Sequence, residues 1–67
     1  MGDYREIILN RRIERKMSQQ QLAELVGVSQ SLINHIEHGR KNPSVEVLVR
    51  ICKVLDIEFM TIPEGRG

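Results

Sequence analysis

Between residues 30 and 38 the chain carries Gln30, Ser31, Asn34, His35 and His38. Gln and Asn each place a donor beside an acceptor, the arrangement that matches the exposed edge of adenine. Ser serves in either role, and His can donate to N7 or O6 of guanine. This is a chemistry of reading rather than of bond breaking. The constellations that enzymes need are missing: there is no glycine-rich phosphate loop, no Ser/His/Asp set at a workable separation, no H-E-x-x-H and no paired carboxylates placed for a pocket. No enzyme is expected. His35 and His38 stand three apart, as two metal ligands on a helix would, but nothing supplies the remaining ligands, so no metal and no other cofactor is expected. Cys52 is the only cysteine, which excludes an intramolecular disulfide; its apolar neighbours make it a small buried hydrophobe rather than a redox switch.

Short helices joined by tight turns must position these side chains. Ser18, three residues before Gln21, has the spacing of a capping box, and Ser29 and Ser44 are further N-cap candidates, with Glu46 suited to the first turn after Ser44. Gly27 and Gly39 are spaced like the left-handed residues that end helices. Apolar spacing agrees with these marks. Ile8, Leu9, Arg12 and Ile13 define one face of a first helix near residues 3–16, and Leu22, Ala23 and Val26 define a second. Ile33 and Ile36 mark the buried side of a third, opposite the five polar residues. Val45, Leu48, Ile51, Cys52 and Leu55 form the stripe of a fourth. Pro43 holds Asn42 extended between the last two. The fold class expected is all-α, a compact bundle of four to five short helices. Residues 57–62 change period and are rich in β-formers, which predicts a short C-terminal strand; the alternative is a fifth helix capped by Asp56. A single strand needs a partner, so Ile57, Phe59, Met60 and Ile62 are expected to pair with their copies across a dimer.

Sixty-seven residues amount to one small domain, residues 1–67. Leu, Ile, Val and Phe account for 21 of them, too many for a disordered tail. A core this small contributes roughly 3–5 kcal/mol, and with no disulfide or zinc site available the expected remedy is a homodimer. Ten basic residues against nine acidic ones leave a formal charge of +1, so the chain does not bind polyanions by bulk charge. Local clusters remain. Arg5, Arg11, Arg12, Arg15 and Lys16 fall in the first sixteen positions, and Arg40 and Lys41 form a second group; the first cluster is either a solvated face or a set of phosphate contacts. No apolar run approaches the roughly 20 residues of a membrane span, and charge rather than an apolar region follows the first residues. No membrane partner is expected, and the cytoplasm is the expected location.

The segment from Ser18 to Gly39 unites these features. Its two helices are joined by Gly27-Val28-Ser29, the spacing of a helix-turn-helix, in which the first helix crosses the DNA backbone and the second enters the major groove. From about Ile8 to Ile57 the chain resembles the Cro and XRE-type phage-repressor family of helix-turn-helix domains. The resemblance is carried by Arg12, Ser18-Gln19-Gln20-Gln21-Leu22-Ala23, Gly27-Val28-Ser29-Gln30-Ser31, Ile33, Ile36-Glu37, Gly39-Arg40 and Pro43-Ser44. It implies double-stranded DNA as partner, with Gln30, Ser31 and His35 reading bases and Gln19, Asn34, Arg40 and Asn42 holding the backbone. It also implies that Arg12 and Glu37 form an internal, structural ion pair. Leu32 stands where the family often has a small hydroxylated residue, and either touches a thymine methyl or packs.

The segment Leu55-Asp56-Ile57-Glu58-Phe59-Met60-Thr61-Ile62-Pro63 resembles the C-terminal strand of HipB-type antitoxins, which implies a HipA-type kinase toxin as a further partner. A Cro-like repressor or a restriction-modification controller would use the same DNA-reading face without a kinase. The expectation is a repressor that binds an inverted-repeat operator as a homodimer and associates with the nucleoid when bound. The reading from another class is a module that binds protein instead of DNA; such a face should carry aromatic and Met anchors, and residues 30–38 hold none.

Overall fold

In the computed structural model, which describes residues 4–58, serine hydroxyls open three of the four helices. Ser18 Oγ accepts from the Gln21 amide at 3.0 Å while Gln21 Oε1 accepts from the Ser18 amide at 2.8 Å, the reciprocal capping box that starts α2 (Gln19–Val26). Ser29 Oγ accepts from the Leu32 amide at 3.1 Å and starts α3 (Gln30–Glu37). Ser44 Oγ accepts from the Val47 amide at 3.2 Å and starts α4 (Val45–Leu55). Ahead of them lies α1 (Tyr4–Glu14), and all regular structure among the described residues is helical.

All four helices end alike. A residue in the left-handed region follows each one, at φ 55° for Lys16, 90° for Gly27, 74° for Gly39 and 58° for Asp56. The next amide then returns to a carbonyl five residues back: Met17 to Arg12 at 3.1 Å, Val28 to Ala23 at 3.0 Å, Arg40 to His35 at 2.8 Å and Ile57 to Cys52 at 2.8 Å. This arrangement satisfies carbonyls that would otherwise be orphaned. The two glycines stand where their spacing predicts. Lys16 and Asp56 were not legible as helix ends. Asp56 in particular, the candidate N-cap of a fifth helix, cannot serve as one at positive φ, because an N-cap residue needs extended backbone.

The core joins Ile8 of α1, Leu22, Ala23 and Val26 of α2, Ile33 and Ile36 of α3, and Ile51, Cys52 and Leu55 of α4, with Ile57 closing over the end. Two expected core residues are on the surface, Ile13 at 57% and Val45 at 71% exposure. At about 100° per residue, Ile13 lies about 140° around α1 from Ile8, and Val45 lies about 120° around α4 from Ile51. Both therefore sit at the margin of their stripes. Burial pushes the Cys52 thiol above its ordinary value of 9.0, which keeps it protonated and unreactive at neutral pH. Of the segment expected to be a strand, Ile57 packs in the core of this chain, while Phe59, Met60 and Ile62 lie outside the described residues.

One ion pair crosses this core's edge. Arg12 Nε and Nη2 donate to the two oxygens of Glu37 at 2.7 and 3.0 Å, and Nη1 donates to the Met17 carbonyl at 2.8 Å. The Glu37 side chain is only 2% exposed and that of Arg12 12%, so the pair lives in a medium where neither charge tolerates the loss of the other. Glu37→Ala should cost about 3–5 kcal/mol, comparable with the whole stability of a domain this size; a urea melt followed by circular dichroism should find it largely unfolded at 25 °C. A melt matching that of the unaltered protein would remove the pair from its structural role. In contrast, Lys16→Gly relieves a left-handed lysine and should raise the melting temperature by about 2–8 °C, corresponding to about 0.5–1 kcal/mol. A lowered melting temperature would contradict the left-handed backbone at Lys16.

Candidate nucleic-acid interface

The packing of α3 decides which of its side chains face out. Ile33 and Ile36 are fully buried against α2, so the opposite edge presents Gln30, Ser31 and His38 exposed and Asn34 and His35 half-buried. The first turn of α2 abuts this edge. Gln19, Gln30, Ser31, Asn34 and His35 line one shallow depression, which brings together all three expected base readers and two of the four expected backbone contacts. His35 Nδ1 is buried with no hydrogen-bond partner, which leaves Nε2 as the ring nitrogen able to meet an incoming group. His38 Nδ1 lies 2.8 Å from the Asn34 carbonyl, near the end of α3.

The depression is wired to the ion pair beneath it. Gln19 Nε2 donates to Glu37 Oε1 at 2.9 Å, and Gln19 Oε1 accepts from Asn34 Nδ2 at 3.4 Å. The Gln19 amide is thus held at both ends by protein groups, with one N–H left over. This engagement has no signature in the sequence, because Gln19 and Glu37 are 18 residues apart and meet only once α2 and α3 have crossed.

The remaining two backbone candidates lie in the turn after α3. Arg40 is exposed, and its amide and that of Lys41 both return to the His35 carbonyl, at 2.8 and 3.3 Å. Asn42 Oδ1 accepts from the Tyr4 hydroxyl at 2.7 Å, a contact that sequence reasoning missed: a lone aromatic 38 residues away gives no periodic or spacing signal. A side chain at Gly39 would collide with the Arg5 guanidinium, so α1 covers this turn with two successive residues.

The N-terminal basic cluster does not form one patch. Arg12 is internal, Arg11 Nη1 donates to the Leu55 and Asp56 carbonyls at 3.0 and 2.8 Å, and Arg15 lies 3.6 Å from Asp56. Arg11 and Arg15 therefore gather at the end of α4, as a solvated and partly structural group. Among the described residues no group of three or more His, Cys, Asp or Glu is placed to hold a metal, and no helix is long and apolar enough to cross a membrane.

Comparison with known proteins agrees with this geometry. A helix-turn-helix family model matches residues 8–62. The chain is 39% identical over 49 residues, 73% of its length, to the uncharacterized HTH-type transcriptional regulator y4dL of Sinorhizobium fredii, and it spans only 25% of that relative. Among solved structures it is similar to the N-terminal DNA binding domain of SinR from Bacillus subtilis, with TM-score 0.80 and 32% identity over 94% of each chain. It is also similar to the restriction-modification controller protein C.AhdI from Aeromonas hydrophila, with TM-score 0.77 and 29% identity over 82% of this chain and 83% of that one. The clp gene regulator ClgR from Corynebacterium glutamicum matches with TM-score 0.76 and 28% identity over 81% of this chain and 57% of that one. With the family pattern covering most of its length and the same fold in three regulators, the chain belongs to the Cro/XRE-type helix-turn-helix family of DNA-binding transcription regulators.

Proposed function

We propose that the chain acts as a repressor that binds an inverted-repeat operator as a homodimer, each copy placing α3 in the major groove on one side of the duplex. Half-sites then stand about 10 base pairs apart, or a multiple of that. The observation that carries this reading is the polar edge of α3, held rigid by the buried contacts of Ile33 and Ile36 on its other side. Gln30, Ser31 and His35 meet base edges there. Arg40 and Asn42 hold the backbone to one side, and Gln19 and Asn34, with the free amides of the first turn of α2, hold it on the other. A formal charge of +1 makes affinity depend on these local phosphate contacts and fall steeply with salt. The protein does this work in the cytoplasm, on the nucleoid, and no catalytic step is assigned to it.

Two narrower readings share the same face. An antitoxin paired with a HipA-type kinase draws on the resemblance of residues 55–63, and a restriction-modification controller draws on the likeness to C.AhdI. The second has the broader support, since that likeness spans 82% of the chain rather than its last residues.

Selection of duplexes from a random pool, followed by anisotropy titrations, tests the proposal. The selected sites should be inverted repeats. His35→Ala should lose about 1–3 kcal/mol of discrimination at particular base pairs, while Arg40→Ala should weaken all sequences alike and reduce the salt slope by about 1. Equal losses on selected and random DNA for both variants would contradict the assignment, and no enrichment at all would return the chain to a protein-binding module.

A further inference from the structure

We propose that Tyr4 is a positioning residue for DNA-backbone binding, acting through Asn42. The proposal rests on the reading of Asn42 as a phosphate contact. A phosphodiester oxygen accepts hydrogen bonds and donates none, whereas a carboxamide carries an acceptor on one side and two donors on the other. A freely turning Asn side chain therefore offers the backbone a repelling oxygen as readily as an attracting N–H. In the structure the Tyr4 hydroxyl meets the oxygen side of this amide. It donates to Asn42 Oδ1 at 2.7 Å, which occupies the acceptor and leaves Nδ2 as the group available to a phosphate.

The surroundings favour such a brace. The turn from Gly39 to Asn42 is tied from within by the Arg40 and Lys41 amides on the His35 carbonyl. From outside it is covered by the first turn of α1, with Arg5 over Gly39 and Tyr4 on Asn42. Arg40, Lys41 and Asn42 are thereby presented as one unit directly beyond the reading edge of α3. The Tyr4–Asn42 bond is itself solvent-exposed, so its contribution to folding is small, and its loss should be felt in binding rather than in stability.

Tyr4→Phe, Asn42→Ala and the double variant test this, with Arg40→Ala as the reference for backbone contact. In the free protein Tyr4→Phe should move the Asn42 side-chain amide signals in a nitrogen–proton NMR spectrum and leave the melting temperature within about 2 °C. Affinity should fall about threefold to tenfold on selected and random DNA alike, with the salt slope unchanged, because a neutral carboxamide releases no counterion, whereas Arg40→Ala should lower it by about 1. The double variant should bind no worse than Asn42→Ala alone, because both changes remove one interaction. Unmoved Asn42 signals, undiminished affinity, a loss confined to one sequence, or additive losses in the double variant would each overturn the role of Tyr4. If Arg40→Ala weakens DNA binding and Tyr4→Phe does not, only this inference falls; if neither does, the DNA reading of the turn falls with it.

Discussion

A carboxylate that is 2% exposed sits at the last residue of α3, and what it requires ties α1 and α2 to that helix. Removing a charge from water costs several kcal/mol, which is recovered only when the geometry of the partners is good and the remaining lone pairs are occupied. Glu37 meets both conditions. Arg12 of α1 approaches it with two parallel N–H donors, and Gln19 of α2 donates to one of the same oxygens. Three helices thus share one anchor. Because Arg12 also donates to the Met17 carbonyl, the anchor fixes the turn that leads into α2 as well as the angle between α2 and α3. That angle is what a helix-turn-helix presents to a duplex. The same chain of bonds continues through Gln19 to Asn34, so the buried charge reaches the floor of the polar edge of α3.

The arginines show how a nearly neutral domain distributes its positive charge. Helix C-termini carry partial negative charge and unsatisfied carbonyls, and guanidinium groups answer both. Arg12 reaches the end of α1 through the Met17 carbonyl, and Arg50 reaches the end of α2 through the Val26 carbonyl at 3.4 Å. Arg11 takes the Leu55 and Asp56 carbonyls at the end of α4, and Arg5 lies over Gly39 at the end of α3. A run of basic residues that looks like a polyanion patch in one dimension is therefore largely structural in three, and Arg40 and Lys41 stand exposed in the turn after α3.

Most of what depended on neighbours within about five residues was legible in the sequence, the left-handed ends at Lys16 and Asp56 excepted. The three serine caps, the capping glutamine, the left-handed glycines and the apolar stripes of α2 and α3 are local chemistry, and each stands where the residue types place it. The polar edge of α3 follows from the same periodicity, which is why Gln30, Ser31, Asn34 and His35 share one surface in the structure as they do on a helical wheel. The ion pair Arg12–Glu37 was legible too, though by family resemblance rather than by spacing.

Tertiary structure alone decided the rest, because it depends on which helix ends come together. The hydroxyl of Tyr4 on Asn42, the guanidinium of Arg11 on the Leu55 carbonyl and the amide of Gln19 on Glu37 join residues 38, 44 and 18 positions apart. No periodicity encodes those meetings. The burial of Ile57 has the same origin: it lies past the end of α4, where no helical repeat applies, and the packing of neighbours decides that it meets the core.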